Sequence, residues 1–431
     1  MTSEEKLIEI TNKETIKAIM VSLCRQKDKL QDIEDSMNEL ERLADTAGVE
    51  IVGRFIQKRE NPKAATYIGS GFAEMLKEEM EKLGADILIF DNELTPSQGR
   101  NLKKDYELET TDRTELILDI FHSHAHTNEA KLQVKLAELR YQLPRLKRLW
   151  THLDSVRGSA SGSKGASRGV GETQLELDKR KIREEIRSID EQLSKLNIQL
   201  DTQRKKRREK YKLACVVGYT NAGKSTLFNS LTDAGVLEED KLFATLDSTS
   251  KALNLGYGED VIITDTVGFI ANLPHQLVAS FRATLKEAIE ADLLIHVVDA
   301  SDTRYEQLIN EVNKVLAEIG ASEIPQILVL NKIDLLPEVM IKMMHKKYPD
   351  AIYISAKQKT NMDYLKITLE EHLKQSVTFN LLIPYADSAV EALAHKKCEL
   401  IEKEYRDNGV FLQVRINKED MRLFEKYIVK A

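Results

Sequence analysis

The string Gly218-Tyr219-Thr220-Asn221-Ala222-Gly223-Lys224-Ser225-Thr226 spaces two glycines, a lysine and a hydroxyl as a polyphosphate cradle requires. Glycines let successive backbone N–H groups turn inward around a β-phosphate. The helix that starts there has a dipole that favours anions. Lys224 is then expected to bridge β- and γ-phosphate oxygens, and the Ser225 hydroxyl to ligate Mg²⁺. The apolar run Leu213 to Val217 reads as the strand that must feed such a loop.

Two further strings sit where the same chemistry needs them. The run Val261 to Thr264 reads as a strand that delivers Asp265-Thr266-Val267-Gly268 at its carboxyl end. Asp265 can hold Mg²⁺ through water, and Gly268 can offer its N–H to a γ-phosphate. Asn331-Lys332-Ile333-Asp334 follows the apolar run Ile327 to Leu330. The Asp334 carboxylate can accept from both N1–H and the exocyclic amino group of guanine. Adenine has no such pair and leaves the acid unsatisfied. Asn331 is expected to brace the loop, and the Lys332 stem to cover a base face. Ser355-Ala356-Lys357, after the strand Ala351 to Ile354, completes the base pocket, with the Ala356 N–H as a donor to guanine O6. Any one string can arise by chance. All of them in this order, each at a strand end, point to Mg²⁺ with GTP or GDP.

Between the first two strings lies Phe243-Ala244-Thr245-Leu246-Asp247-Ser248-Thr249. A switch threonine here is expected to bind Mg²⁺ and sense the γ-phosphate. Thr245 is the first choice and Thr249 the second, because spacing alone does not decide. The expected catalytic set is Lys224, Thr245, Asp265 and Gly268. Ras-type enzymes place a water-orienting glutamine directly after the last of these. Here that position is Phe269, which cannot hydrogen-bond a water. Slow intrinsic hydrolysis, accelerated by a partner, follows. Asn221 matches the asparagine of GTPases that use K⁺ in place of an arginine finger, so K⁺ is a second candidate cofactor.

The elements that must carry these strings read as follows. Residues 1–113 form an α/β subdomain, with Ile16, Ile19, Met20 and Leu23 at helical spacing, a strand over Val49 to Ile56, a turn at Gly69 to Gly71, a helix over Phe72 to Leu83 and a buried strand over Ile87 to Phe90. Residues 114–212 form a helical hairpin. Its first helix carries Leu132, Leu136, Leu139 and Leu143 and is kinked or interrupted at Pro144; its second runs from about Gln174 to Tyr211. A Gly/Ser-rich loop, 157–171, joins them. Residues 213–375 form a doubly wound, mostly parallel P-loop domain. Residues 376–431 form a small α/β domain with strands over Thr378 to Ile383 and Val410 to Ile416, a helix over Ser388 to Tyr405 and a helix from Lys418 onward.

Composition narrows the classes. No run approaches the roughly 18 to 20 apolar residues that span a bilayer, and the charged start MTSEEKLIEI is no secretory leader. Cys24, Cys215 and Cys398 are scattered, as free thiols in a reducing compartment would be. A cytoplasmic monomer is expected, with peripheral membrane attachment as the alternative. A net charge of −7 rules out a chain that binds nucleic acid along its whole surface. Yet QRKKRREKYK, residues 203–212, carries seven basic residues and one acid, a local phosphate-binding candidate or a solvated helix face.

Longer strings carry a resemblance. Ala65-Thr-Tyr-Ile-Gly-Ser-Gly71, Glu93-Leu-Thr-Pro-Ser-Gln-Gly-Arg-Asn-Leu102, Thr111-Asp-Arg-Thr-Glu-Leu-Ile-Leu-Asp-Ile-Phe121, Lys131-Leu-Gln-Val-Lys-Leu-Ala137 and Gly169-Val-Gly-Glu-Thr-Gln-Leu-Glu-Leu-Asp-Lys-Arg180, with the nucleotide strings, resemble the HflX family of ribosome-associated GTPases, in the Obg–HflX branch. The likeness covers about 49–357. It implies an N-terminal α/β subdomain, a long helical hairpin, a G domain and a small C-terminal domain. It favours Thr245 as the switch ligand. It also implies binding to the 50S subunit and its rRNA, and splitting or rescue of stalled ribosomes under stress. The hairpin loop would then probe the peptidyl-transferase region, with Arg157, Lys164 and Arg168 against RNA. The chain departs from the family at Phe72, where lysine is usual, and at His122-Ser-His124-Ala-His126, where arginine is common. These histidines read as a polar helix face rather than a metal site.

Three other functions compete with the first: a large-subunit assembly or quality-control GTPase, a nucleotide-controlled switch regulating a membrane protease, and ATP-driven RNA remodelling by the N-terminal half. The basic run and charged loop favour RNA over a partner made of protein alone.

Overall fold

The first departure from these expectations is Ile16–Cys24, which is a strand, β1, and not a helix. The computed structural model describes residues 15–158, 168–208, 210–232, 235, 242–243, 248–255, 260–270, 286–373, 376–417 and 420–429. β1 lies inside a four-stranded parallel sheet with β2 (Val49–Lys58), β3 (Ile87–Phe90) and β4 (Thr110–Asp112), in the order β2-β1-β3-β4. Between the strands run α1 (Leu30–Thr46), α2 (Ser70–Leu83) and α3 (Pro96–Tyr106). Ala18 and Met20 pack with Met37, Leu40 and Leu43 of α1 on one face. Ile19 and Val21 pack with Ala73, Leu76 and Leu102 of α2 and α3 on the other. With both faces covered, the period-2 alternation that marks a strand disappears, and a short apolar run reads equally well as a helix. Gly69 caps α2, so Ser70 and Gly71 belong to its first turn.

The helical stretch after β4 is two helices. α4 (Arg113–His124) packs Leu116, Ile117, Ile120 and Phe121 into the same core as β1. α5 (Asn128–Gly158) begins after a break at Ala125 and runs through Pro144. Arg157 lies near its end, and Arg168 opens α6 (Arg168–Arg208). Both helices therefore extend into the stretch read as loop. Its glycines, each costing about 1 kcal/mol in a helix, pointed the other way. Lys164 lies outside the described residues. Leu136 and Leu139 of α5 pack on Ile189 and Leu193 of α6. The pair is fastened to the N-terminal sheet midway along α5. Tyr141 donates to both Asp112 oxygens at 3.0 Å, and Arg145 reaches Asp112 at 3.1 Å while lying over the Tyr141 ring. At the far end of α6, Arg204 makes a buried pair with Glu287 at 2.8 Å. Arg204 and Lys212, which pairs with Asp292, thus leave the basic run as structural ties. Lys205, Arg208 and Lys210 remain exposed.

The nucleotide strings sit on a six-stranded sheet with the order β10-β9-β8-β5-β7-β6. Its strands are β5 (Lys212–Gly218), β6 (Thr249–Asn254), β7 (Asp260–Asp265), β8 (Leu293–Asp299), β9 (Gln326–Asn331) and β10 (Ile352–Tyr353). The run β5, β8, β9, β10 is parallel. The helices are α7 (Lys224–Thr232), α8 (Lys286–Ile289), α9 (Tyr305–Ile319) and α10 (Glu338–Lys347). β6 was not foreseen: only Leu253 of it is buried, so it has little apolar signal.

A second compact unit takes in Asp363–Ala431 together with Asn254–Val261. After α11 (Met362–Leu373) it is a four-stranded sheet, β12-β13-β11-β14, of β11 (Ser376–Ile383), β12 (Glu399–Arg406), β13 (Gly409–Asn417) and β14 (Ile428–Val429). Its pairings are antiparallel. The helix expected to reach Tyr405 ends early: α12 is Ser388–Lys397, and Glu399 onward is an edge strand. Its Glu/Lys-rich composition favours helix, but pairing with β13 through the tight turn Asp407-Asn408 overrides it. Short 3₁₀ turns, Asp420–Leu423 and Glu425–Tyr427, replace the final helix. Among the described residues, no helix is long and apolar enough to cross a membrane.

Candidate functional site

β5 ends in Gly218 with φ 151°, beside β8. A Cβ there would lie 2.1 Å from the Val297 carbonyl oxygen, so only glycine lets the loop leave the sheet this closely. Asn221 and Gly223 also take positive φ, 60° and 88°, and α7 starts at Lys224. The loop therefore has its backbone turned as a phosphate cradle needs. Lys224 is buried, and its Nζ donates to the Tyr219 carbonyl at 2.8 Å. Burial pushes its pKa down to about 8, against the opposing pull of Asp265.

Ser225 Oγ donates to Asp265 Oδ2 at 2.7 Å, which brings the hydroxyl and the carboxylate of two separate strings together. Both are hard oxygen donors, the set that suits Mg²⁺. Asp265 is wholly buried at the end of β7, and Thr266 Oγ1 is tied to the Val216 carbonyl at 2.7 Å. Phe269 N–H donates to the Gly218 carbonyl and Thr220 N–H to the Phe269 carbonyl, at 3.1 and 2.7 Å. Gly268 is thereby pressed on the loop: a Cβ on it would lie 2.8 Å from Lys224 Nζ.

The base-recognition strings meet the loop through Asn331. Its Nδ2 donates to the Ala222 carbonyl at 2.9 Å and its Oδ1 accepts the Ala356 N–H at 3.0 Å. Ala356 N–H, read as a donor to guanine O6, is engaged by that brace, because the buried Asn331 oxygen needs a donor. Lys332 takes φ 64° and pairs with Asp299 at 2.8 Å. Ile333 and Asp334 form a 3₁₀ turn with Asp334 exposed, and Lys357 is exposed on the facing loop. Ser355 Oγ accepts from Gln358 N–H, closing that loop. Thr226 follows in α7 and is half-buried.

Other expected residues fall elsewhere. Phe243 is 3% exposed and stacks edge-on against Phe121 of α4, centroids 4.6 Å apart. It is an apolar anchor and presents no surface to a nucleotide. Ala244, Thr245, Leu246 and Asp247 lie outside the described residues. Val267 and Phe269 are buried in the cluster that holds Phe243. Of the three histidines, His122 meets Glu138 at 2.9 Å and His124 the Ile120 carbonyl at 2.8 Å. Sequence reasoning placed Tyr219 in the phosphate loop but did not foresee that its side chain leaves the loop for Glu39 of α1, and it missed Asp299, the Lys332 partner. No local signal marks either pairing. A cavity of about 330 Å³ lies beside the loop, lined by Asn38, Arg42, Asn221, His296 and Arg304 among others. Neither Lys224, Ser225 nor Asp265 lines it.

A phosphate loop on β5, an acid on β7 and a base loop on β9 define a P-loop GTPase. Family models describe the same layout: GTP-binding GTPase N-terminal over 34–122, GTP-binding GTPase Middle Region over 124–207, and 50S ribosome-binding GTPase over 213–332. GTPase HflX of Caldanaerobacter subterraneus is 42% identical over 398 residues, 92% of this chain and 91% of that protein. GTPase HflX of Escherichia coli is 41% identical over 411 residues, 94% of each. The chain belongs to the HflX family of GTPases, and it hydrolyses GTP to GDP and phosphate. A solved GTP-binding protein of Sulfolobus solfataricus in complex with GDP is 25% identical, covering 83% of this chain and 98% of that one, with a TM-score of 0.43.

Proposed function

We propose that this chain binds the large (50S) ribosomal subunit in its GTP form and dissociates or rescues stalled ribosomes. The observation that carries the reading is the long hairpin fixed to the G domain through Arg204 and Glu287. Its two helices lead into a Gly/Ser stretch carrying Lys164, with Arg157 and Arg168 on either side. Positive charge on a narrow arm suits a crowded RNA backbone. The match of 213–332 to a 50S ribosome-binding GTPase supports the same partner.

In this reading the loop N–H groups and Lys224 hold the phosphates, and Gly268 N–H meets the γ-phosphate. Ser225 and Thr245 would hold Mg²⁺, with Asp265 behind Ser225. That ion would supply neutralisation of the phosphate charge. Asp334 selects guanine. Asn221 is the residue to test for K⁺ use. Phe269, buried in an apolar cluster, offers attacking water no partner. Hydrolysis is therefore slow until the ribosome orders the switches.

Sedimentation with 50S, 30S and 70S particles tests this, using GTP, GDP and a non-hydrolysable analogue. Co-migration with 50S only in the triphosphate state supports it, and Lys164→Glu with Arg168→Glu should abolish that co-migration. Binding confined to immature subunits would instead favour an assembly role. No ribosomal binding in any nucleotide state would overturn the proposal.

A further inference from the structure

Tyr219 has a side chain that a phosphate cradle does not require. Its hydroxyl donates to Glu39 Oε1 of α1 at 2.7 Å, and both residues are buried. Glu39 is held in turn. Arg113 Nη2, from the start of α4, lies 3.1 Å from the same oxygen, and Arg113 Nη1 lies 3.0 Å from Asp91 Oδ1 at the end of β3. Asp91 accepts the Ser36 hydroxyl on both oxygens, at 2.9 and 2.8 Å. Burial works against the Arg113 charge, but Glu39 and Asp91 outweigh it and its pKa rises. The network ties α1, the end of β3 and the start of α4 together and reaches Tyr219. The carbonyl of that same residue accepts Lys224 Nζ.

We propose that Arg113, Glu39 and Tyr219 are positioning residues, a relay by which the N-terminal layer sets the place of the Lys224 ammonium and hence the hold on the nucleotide. Hydrogen bonds to ionised groups between buried side chains are short and strong. A shift of α1 against the G-domain sheet therefore moves Tyr219, and Tyr219 moves the lysine anchor. Whatever docks on α1 or α4 then alters nucleotide retention. The inference requires only GTP binding and hydrolysis and is independent of the ribosomal reading.

The test uses the full chain with Tyr219→Phe, Glu39→Gln and the two combined. Release of a fluorescent GDP analogue is followed by stopped flow, and steady-state GTP hydrolysis gives KM and kcat. Each single variant is expected to release GDP roughly tenfold faster, as for the loss of one hydrogen bond to a charged group. KM for GTP should rise by a similar factor while kcat falls by less than about threefold. The double variant should be no faster than the quicker single one, because both break one connection. Tyr219→Phe removes a single oxygen and leaves Arg113 paired, so it decides the question even where Glu39→Gln folds poorly. Unchanged release in Tyr219→Phe, or effects that multiply to roughly a hundredfold in the double variant, would overturn the relay.

Discussion

Gly223→Ala addresses the join between the phosphate loop and the base loop. Gly223 has φ 88°, and a Cβ on it would lie 2.3 Å from Asn331 Nδ2. An alanine in that backbone region is strained by about 1–2 kcal/mol. Asn331 must also move by about 1 Å to restore van der Waals distance. Moving it breaks the bonds from Nδ2 to Ala222 and from Ala356 to Oδ1, both buried. Leaving such groups unpaired costs about 1–3 kcal/mol. The sum, about 2–5 kcal/mol, falls on the nucleotide site, so GDP affinity should drop by a factor on the order of 30 to several thousand. Titration calorimetry reads this directly. Asn331→Ala removes the obstruction along with the brace, so adding Gly223→Ala to it should cost only the backbone strain. Near-normal GDP binding by Gly223→Ala, or full additivity in the double variant, would refute the reasoning.

Two further outcomes follow from charges in the interior. Lys224 has its pKa lowered to about 8 in the free chain, whereas the unfolded lysine titrates near its ordinary value. The unfolded state then holds more protons between these limits, so this group's contribution to stability rises as pH climbs from about 8 to 10. Phosphate binding restores the ammonium, so GDP binding at about pH 9 should take up a proton. Calorimetry in buffers of different ionisation enthalpy should show the uptake, and Lys224→Met should abolish it. Arg204→Met leaves Glu287 buried without its cation, which should lower stability by about 3–5 kcal/mol in urea unfolding. A loss below about 1 kcal/mol would mean that the tie at the hairpin base is replaceable.

The phosphate and base strings were legible because each is contiguous and sits at a strand end, so local spacing encodes its geometry. β1 was not, since helices on both of its faces erase the alternation that Ala18 to Val21 would otherwise show. β12 was hidden by its charged, helix-favouring residues, and only its pairing with β13 through the turn Asp407-Asn408 makes it a strand. Ala356 shows a subtler limit: sequence gives the donor, but only packing reveals that Asn331 takes it. The Tyr219 to Glu39 contact spans 180 positions, and the phosphate-loop motif that contains Tyr219 says nothing of where its side chain goes. Such pairs follow from how the sheet layers dock, which spacing along the chain does not encode.

The 41 residues of α6 make a rod on the order of 60 Å long, at 1.5 Å per residue. Its lower end is clamped by Arg204 and Glu287, eight residues before the strand that feeds the phosphate loop. Such a shaft behaves as a mechanical arm with a short input side and a long output side. A tilt of about 5° at the clamp would sweep the opposite end through roughly 5 Å, more than the width of a nucleobase edge contact. Ångström-scale rearrangement beside a nucleotide is thereby large enough, at the other extremity, to make or break a contact.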